Sequence, residues 1–233
     1  MKKIIVLALT TLITVSMIYA QTTVGVKGTF GMNFGSELTD KSNDLFSDSI
    51  IALLGEKSFT NVFMVNGGGS IYGRYNIPAF PALGVQLELG LTINNGAGIK
   101  TEILGYEYSY TISYTSLDFP LLVTYNIPIS SVVITPMIGM NFSIPVGTPT
   151  TTTTTDDRTS TGKMDGYKVT GFIPGFIAGI EVGIPAGTNA ITLGLSYVND
   201  FTPVHANIEN LEAKTDLVTR SNLNISLGYT FKL

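Results

Sequence analysis

The chain has 233 residues, a net charge of −4 and no cysteine. The lack of cysteine excludes disulfides, thiolate catalysis and lipid attachment at an N-terminal cysteine, and the negative charge argues against a nucleic-acid partner. Charged residues make up 13% of the chain, about half the share in soluble proteins, which indicates a protein with an apolar surface.

The N-terminus has the features of a secretory signal peptide. Two lysines open the chain, an apolar run follows at 4–14, and Ile18-Tyr19-Ala20 forms a cleavage site. An uncleaved membrane anchor is the alternative, but the run is short for a spanning helix. We expect residues 1–20 to be a signal peptide cleaved near Ala20, and residues 21–233 to form one exported domain.

The rest of the chain is dominated by alternation of apolar residues with small or polar ones. In the last stretch, Leu223, Ile225 and Leu227 alternate with Asn224, Ser226 and Gly228. A period of two places one set on each face of a β-strand. The predicted strands lie at about 24–35, 62–77, 83–94, 106–127, 132–144, 169–184, 190–201 and 222–233.

The connections between these strands alternate in length. Short ones lie near Pro78, Pro128 and Pro185, whereas long ones begin near residues 36, 95, 147 and 202. Bacterial outer-membrane barrels have short periplasmic turns and long external loops. The sequence therefore predicts an all-β fold, an eight-stranded antiparallel up-and-down transmembrane β-barrel with its apolar face toward lipid and its polar face toward the lumen.

Two segments predict local departures from this pattern. Apolar residues hold even positions from Tyr106 to Tyr114 and odd positions from Leu117 to Tyr125, which predicts a bulge near Ser116. The segment 148–167 contains six consecutive threonines. We expect it to be a mobile loop, with an O-glycosylated segment as the alternative.

The end of the chain resembles the signal by which the barrel-assembly machinery recognises a last strand. The matching residues are Ser226, Gly228, Phe231 and Leu233, with leucine in place of the more common final phenylalanine. The segments 117–125 and 135–139 also resemble the hallmark hairpin of the PorT-like outer-membrane β-barrel domain family. This resemblance implies an eight-stranded barrel in a diderm bacterium, and it carries over no functional residues.

The polar strand faces provide a lumen charge network. An eight-stranded barrel has an interior just wide enough to be filled by side chains, so we expect charged residues there to pair. Pairing across the Pro78 turn places Arg74 near Gln86 or Glu88 and predicts an Arg74–Glu88 ion pair. A structural network is favoured over proton relay or ion selectivity. The network residues are Lys27, Arg74, Glu88, Asp118 and Glu181.

Two further features suggest sites outside the lumen. The candidate surface-binding residues are Tyr106, Tyr108, Tyr110 and Tyr114, which could form an aromatic platform with an available strand edge, or else an aromatic girdle. His205 is the only histidine. Because no nucleophile motif accompanies it, we expect a solvated loop residue and no catalytic or metal site.

These patterns favour a non-enzymatic barrel that anchors surface loops for adhesion or partner binding. A narrow channel or transporter of small or apolar solutes is the main alternative. A soluble lipocalin-like barrel would need more surface charge, and an enzyme ranks last. The expected partners are outer-membrane lipid, the barrel-assembly machinery during biogenesis, and a host or envelope protein; no cofactor and no nucleic acid is expected.

Overall fold

The structure, a computed structural model, describes residues 22–34, 60–103, 106–155, 158–164, 167–208 and 214–233. The predicted signal peptide lies outside these residues. No helix among them is long and apolar enough to cross a membrane.

Eight antiparallel strands close into a barrel, which confirms the predicted fold. Each strand pairs with the next along the chain, and the last pairs with the first, with Lys27 opposite Gly228. The strands are β1 (Thr22–Phe34), β2 (Met64–Ile77), β3 (Phe80–Ile103), β4 (Tyr106–Tyr125), β5 (Val132–Thr155), β6 (Ile173–Ala186), β7 (Asn189–Asp200) and β8 (Ser221–Lys232).

The barrel is apolar outside and polar inside. Along β8, Leu223, Ile225 and Leu227 face outward with 40–61% of their surface exposed, whereas Asn222 is buried. A water-soluble protein would reverse this arrangement, because large apolar side chains are normally buried. An outward apolar band with a polar interior is the pattern of a barrel surrounded by lipid.

Short turns connect three pairs of strands at one end of the barrel, here called the short-turn end. The β2–β3 turn contains Pro78, and Ser130 and Gly187 adopt left-handed conformations in the other two, with φ of 55° and 68°. A short strand, Ile127–Ile129, pairs with the start of β5 beside its turn. These positions match the three predicted short connections.

The pairing of β4 is irregular near Ser116, as predicted, but the extra residues lie in its neighbours and not in β4 itself. Every even-numbered residue from 112 to 124 is buried, so the pleat of β4 continues without interruption. The irregularities lie in the neighbouring strands, where Asn94 of β3 has φ 59° and Gly147 of β5 has φ 84°. What changes along β4 is the side on which the apolar residues lie. From Leu117 to Tyr125 they point outward, and at Ile112 and Tyr114 they point inward.

At the other end of the barrel, here called the long-loop end, β3, β4 and β5 continue as one sheet. Two short strands extend it, Thr60–Val62 beside β3 and Arg158–Lys163 beside β5. We call this assembly the outer sheet: Thr60–Val62, residues 95–103, 106–115 and 149–155, and Arg158–Lys163.

The outer sheet overturns the expectation of a mobile threonine loop. All six threonines from Thr150 to Thr155 belong to β5 and pair with Arg158–Lys163. Hydroxyls of Thr152 and Thr154 contact those of Thr161 and Thr159 across the hairpin at 3.1 and 3.2 Å. Threonine is β-branched and favours strands, and such cross-strand pairs stabilise a sheet.

A second, three-stranded sheet lies mostly in the connections predicted to be loops, and its first strand includes the start of the predicted strand 169–184. It consists of Tyr167–Thr170, Val204–Ile208 and Lys214–Val218, with Val204–Ile208 in the middle. The last long connection is therefore partly ordered, and His205 lies in a strand rather than in a loop.

Candidate functional site

The lumen near the short-turn end is crossed by a layer of paired charges. Lys27 Nζ lies 2.6 Å from Glu88 Oε1, and Arg74 Nη2 lies 2.7 Å from Glu181 Oε1. Gln86 joins the two pairs, because it accepts a hydrogen bond from Arg74 Nε and donates one to Glu88, both at 2.6 Å. We call these five residues the lower layer.

The lower layer corrects the predicted Arg74–Glu88 ion pair. Arg74 does lie opposite Gln86, as pairing across the Pro78 turn predicted. Its carboxylate partner, however, is Glu181 of β6, on another part of the barrel wall, and Glu88 binds Lys27 instead. In a narrow lumen, a charged side chain can pair with one across the barrel as well as with one on an adjacent strand.

Tyr72 of β2 completes the lower layer from the side. Its hydroxyl hydrogen-bonds the Thr230 hydroxyl of β8. Its ring centre lies 5.5 Å from Lys27 Nζ and 5.8 Å from Arg74 Cζ, within the range of a cation–π interaction. Both cations of the layer are therefore held by a carboxylate and by the same aromatic ring.

A second layer lies closer to the long-loop end and is centred on Arg220. This guanidinium donates to both Asp200 oxygens, at 3.0 Å from Nε and 2.9 Å from Nη2, and to Asp118 Oδ1 at 3.1 Å from Nη1. Ser143 of β5 hydrogen-bonds both Arg220 and Asp118. Arg220, Asp118, Asp200 and Ser143 form the upper layer, and each is buried.

The alternation of strand faces predicts Asp118 in the lumen but does not predict Arg220 as its partner. The predicted last strand began at Asn222, so Arg220 was assigned to no element. Its position follows the same alternation, since Arg220 and Asn222 are both buried and Leu223 is exposed. Extending the period of two by one step toward the N-terminus would have placed Arg220 inside the barrel.

Above the upper layer, an apolar cluster fills the long-loop end of the described lumen. Its members come from the outer sheet, β6 and the second sheet: Ala97, Ile112, Tyr114, Ile173 and Val204. Tyr110 packs against them. We call this cluster the cap. The cap explains the change of apolar face along β4, because Ile112 and Tyr114 pack over the mouth of the barrel at the long-loop end instead of facing lipid.

The cap corrects part of the predicted surface-binding set. Tyr114 is 4% exposed and lies inside the cap, so it cannot contact a partner. Tyr106 and Tyr108 are 53% and 36% exposed and remain candidates. The strand edge expected beside them is not available, because β4 is paired with β3 on one side and with β5 on the other.

The described lumen contains a small cavity and a larger one. The small cavity, of about 70 Å³, lies between the layers, bounded by Glu88 and Asp118 among others, and has room for a few water molecules. The larger one, about 560 Å³, opens at the short-turn end, and Arg74 and Glu181 line it. We call this larger cavity the vestibule. The lower layer, the upper layer and the cap separate it from the long-loop end.

The remaining sequence candidates lie away from these layers. The backbone of His205 pairs with Thr170 and Asp216, while Asp200 is occupied by Arg220. Among the described residues, no group of three or more metal-ligating side chains gathers at one place. The predicted assembly-signal residues lie at the end of the chain, three of them on β8 beside β1, and Phe231 packs edge-on against Tyr229 at 4.9 Å.

Several solved structures of bacterial proteins are similar to this chain. Neisserial surface protein A shares 9% identity over 91% of this chain and 97% of its own, with a TM-score of 0.43. OprG from Pseudomonas aeruginosa shares 13% over 92% and 98%, with a TM-score of 0.43. A major outer membrane protein from Thermus thermophilus shares 12% over 91% and 99%, with a TM-score of 0.49.

No curated protein matches the chain. A family match, by contrast, extends over residues 5–231, nearly the whole sequence. It agrees with the closed barrel, its lipid-facing apolar wall and its polar interior. The chain belongs to the outer membrane protein beta-barrel domain family.

Proposed function

We propose that this protein is a non-enzymatic anchor in the bacterial outer membrane that presents the outer sheet for adhesion or partner binding. The observation that carries the proposal is the contrast between a filled lumen and an extended outer sheet. Charged layers and an apolar cap occupy the interior. What the barrel offers to other molecules is then the structure beyond the membrane.

The strand lengths support this role. β3, β4 and β5 have 24, 20 and 24 residues, whereas about 9–11 residues suffice for a tilted strand to cross the bilayer core. The part of β3 from residue 95 to 103 alone is roughly 30 Å long at about 3.3 Å per residue. A sheet of this length would carry a binding surface well beyond the lipid headgroups.

The composition of the outer sheet also suits a binding surface. Tyr106 and Tyr108 are exposed near its tip, and tyrosine is enriched where proteins contact one another. A Lys100–Glu107 ion pair at 3.7 Å lies beside them on the exposed surface. The resemblance to PorT-like barrels remains part of this proposal and adds no ligand to it.

Transport is the second candidate function, and the vestibule is the observation that favours it. A cavity of about 560 Å³ has the size of a small-molecule site. For a solute to pass, however, the Arg74–Glu181 pair, the Arg220 cluster and the cap would all have to separate. Because removing one partner of a buried ion pair costs about 3–5 kcal/mol, we rank transport below partner binding.

The test removes the hairpin that residues 150–155 form with Arg158–Lys163, while leaving the barrel intact. Met164 N donates to Pro149 O at 2.9 Å, so residues 150–163 can be replaced by an Asn-Gly turn that joins two paired positions. Liposomes carrying the refolded protein would be applied to host-cell monolayers and to immobilised fibronectin, laminin and collagen. Loss of attachment in the deletion, with attachment retained in lipid-facing Gly73→Ala, is expected. Attachment that persists both in the deletion and in a variant with Tyr106→Ala and Tyr108→Ala, or no attachment by the wild type, would contradict the proposal.

A further inference from the structure

The vestibule is a cavity with a charged floor. Its volume of about 560 Å³ lies in the range of small-molecule sites. Bacterial outer-membrane barrels have their short turns on the periplasmic side, so a molecule in the periplasm can enter the vestibule without crossing the lumen. Arg74 and Glu181 of the lower layer lie at its inner end.

The floor carries hydrogen-bonding groups that the lower layer does not use. Arg74 donates from Nε to Gln86 at 2.6 Å and from Nη2 to Glu181 Oε1 at 2.7 Å. These bonds leave Arg74 Nη1 and Glu181 Oε2 without a partner among the described residues. Arg74 is 8% exposed and Glu181 3%, and an unpaired polar group at such depth is costly. A molecule that accepts from Nη1 and donates to Oε2 would satisfy both.

Gly183 keeps this floor accessible. It is the next inward-facing residue after Glu181 on β6, and it lines the vestibule between Glu181 and the mouth. Packing does not require glycine here, because a Cβ would meet only ordinary contacts, the nearest at 3.7 Å from Val133 O. A larger side chain would instead occupy the cavity.

The charges around the vestibule favour an anion. Its charged lining side chains are Arg74, Lys232 and Glu181, two cations and one anion, which gives a net charge of +1. The short turns at 78–79, 126–131 and 187–188 contain no charged residue, and Leu233, which carries the terminal carboxylate, does not line the cavity. Lys232 is exposed at the mouth. It would attract a carboxylate, which Arg74 Nη1 would bind by a strong charge-assisted hydrogen bond.

The walls suit a molecule with several hydroxyl groups. Threonine hydroxyls and asparagine amides face the cavity from several strands: Thr23, Thr135, Thr188, Thr192, Thr230, Asn76, Asn126 and Asn189. The Thr23 hydroxyl is buried without a hydrogen-bond partner among the described residues. Prolines and small apolar residues lie between these groups and would contact the C–H groups of a carbon chain.

We propose that the vestibule binds a polyhydroxylated carboxylate of the size of a six-carbon sugar acid. Its carboxylate accepts from Arg74 Nη1, and a hydroxyl beside the carboxylate donates to Glu181 Oε2. Lys232 attracts the anion to the mouth. The site is separate from the outer sheet, and its occupation requires no conduction through the lumen.

The experiment compares three probes of equal chain length on the refolded full chain in phospholipid micelles. Gluconate has the carboxylate and the hydroxyls, sorbitol has a CH₂OH group in place of the carboxylate, and hexanoate has the carboxylate without hydroxyls. Binding is followed by amide chemical shifts in nuclear magnetic resonance spectra at constant ionic strength. Gluconate should give saturable shifts at Gly183 and Ala190. Sorbitol and hexanoate should bind about tenfold more weakly or less, because each loses a hydrogen bond to a charged group.

Two matched pairs of variants locate the site. Gly183→Val places a side chain in the vestibule, whereas Gly73→Val places the same side chain on the lipid-facing wall, where a Cβ meets no atom within 4 Å. Lys232→Gln removes the cation at the mouth, whereas Lys100→Gln removes an exposed cation of the outer sheet. We expect gluconate binding to be lost in Gly183→Val and weakened several-fold in Lys232→Gln, and to be unchanged in both controls.

Three results would overturn the proposal. The first is the absence of saturable gluconate shifts in the wild type. The second is hexanoate or sorbitol binding as tight as that of gluconate, which would assign the cavity to apolar acids or to neutral polyols. The third is unchanged gluconate binding in Lys232→Gln, a variant that removes only an exposed side chain and therefore keeps the test valid if Gly183→Val fails to fold.

Discussion

Arg220 and Asp118 are 102 positions apart in the sequence, yet Arg220 Nη1 lies 3.1 Å from Asp118 Oδ1 inside the barrel. Asp118 belongs to β4, and Arg220 directly precedes β8. Through Asp200 the same guanidinium also holds the end of β7. One side chain thus connects strands on opposite sides of the lumen, in the layer just below the cap.

Replacing Arg220 should destabilise the barrel. Arg220→Leu would leave Asp118 and Asp200 buried without a cation, which costs about 3–5 kcal/mol for a buried pair. The free energy of unfolding can be measured by urea titration in phospholipid micelles, followed by far-ultraviolet circular dichroism. A triple variant that adds Asp118→Asn and Asp200→Asn should recover part of the loss. A change below about 1 kcal/mol, the level of a surface pair, would show that the cluster is solvated.

Tyr114 should act as a packing residue rather than a binding residue. Its hydroxyl is buried and has no hydrogen-bond partner among the described residues, so Tyr114→Phe should leave stability unchanged or slightly higher. Tyr114→Ala should lower the free energy of unfolding by about 3–5 kcal/mol, as for other large aromatic truncations. Neither outcome depends on a ligand. If Tyr114→Phe weakened attachment to cells while leaving stability intact, the residue would belong to the binding surface after all.

Two glycines offer a matched pair for the packing of the wall. A Cβ on Gly139 of β5 would collide with the carbonyl oxygen of Leu121 in β4, whereas a Cβ on Gly73 of β2 would meet no atom within 4 Å. Gly139→Ala should therefore destabilise the barrel by about 1–3 kcal/mol, as overpacking does, and Gly73→Ala should be nearly neutral. If both variants changed the free energy of unfolding equally in urea titrations, β4 and β5 would have to be farther apart at Gly139 and Leu121 than the structure shows.

The barrel could be predicted from the sequence because one simple pattern carries it. Lipid outside and polar side chains inside impose a period of two on every strand, and Leu223, Ile225 and Leu227 already displayed it. The same rule failed along β4, where the surroundings change at Ser116 while the pleat does not. Periodicity reports which face is apolar, and it does not report whether that face meets lipid or a cap.

The candidate site was only partly predictable. The five expected lumen charges could be read from strand faces, but their pairing could not, because Arg74 reaches Glu181 across the barrel. Sequence separation carries no information about such contacts in a closed barrel. The polar composition of the threonine run predicts a loop, but the run forms a strand. Its β-branched threonines pair well with the threonines of Arg158–Lys163.

Amide hydrogen exchange should reveal the hairpin that replaces the predicted loop. In micelles, the amides of Ser160, Gly162 and Met164 point into the hairpin and should exchange slowly, while those of Thr159, Thr161 and Lys163 should exchange fast. This alternation can be read by nuclear magnetic resonance after transfer to deuterated buffer. Thr153→Pro, which disrupts the adjacent strand, should abolish the protection. Uniformly fast exchange in the wild type would restore the mobile loop.

Single-channel recording distinguishes a filled lumen, with function carried by the outer sheet, from a lumen that conducts ions. Refolded wild-type protein and Arg74→Ala would be inserted in planar bilayers, with heat-modifiable migration on gels as the check of folding. We predict no conductance above background in either, because the Arg220 cluster and the cap remain when the Arg74–Glu181 pair is removed. Reproducible openings in the wild type that change size or ion selectivity in Arg74→Ala would show that the lumen is open and make it the functional site.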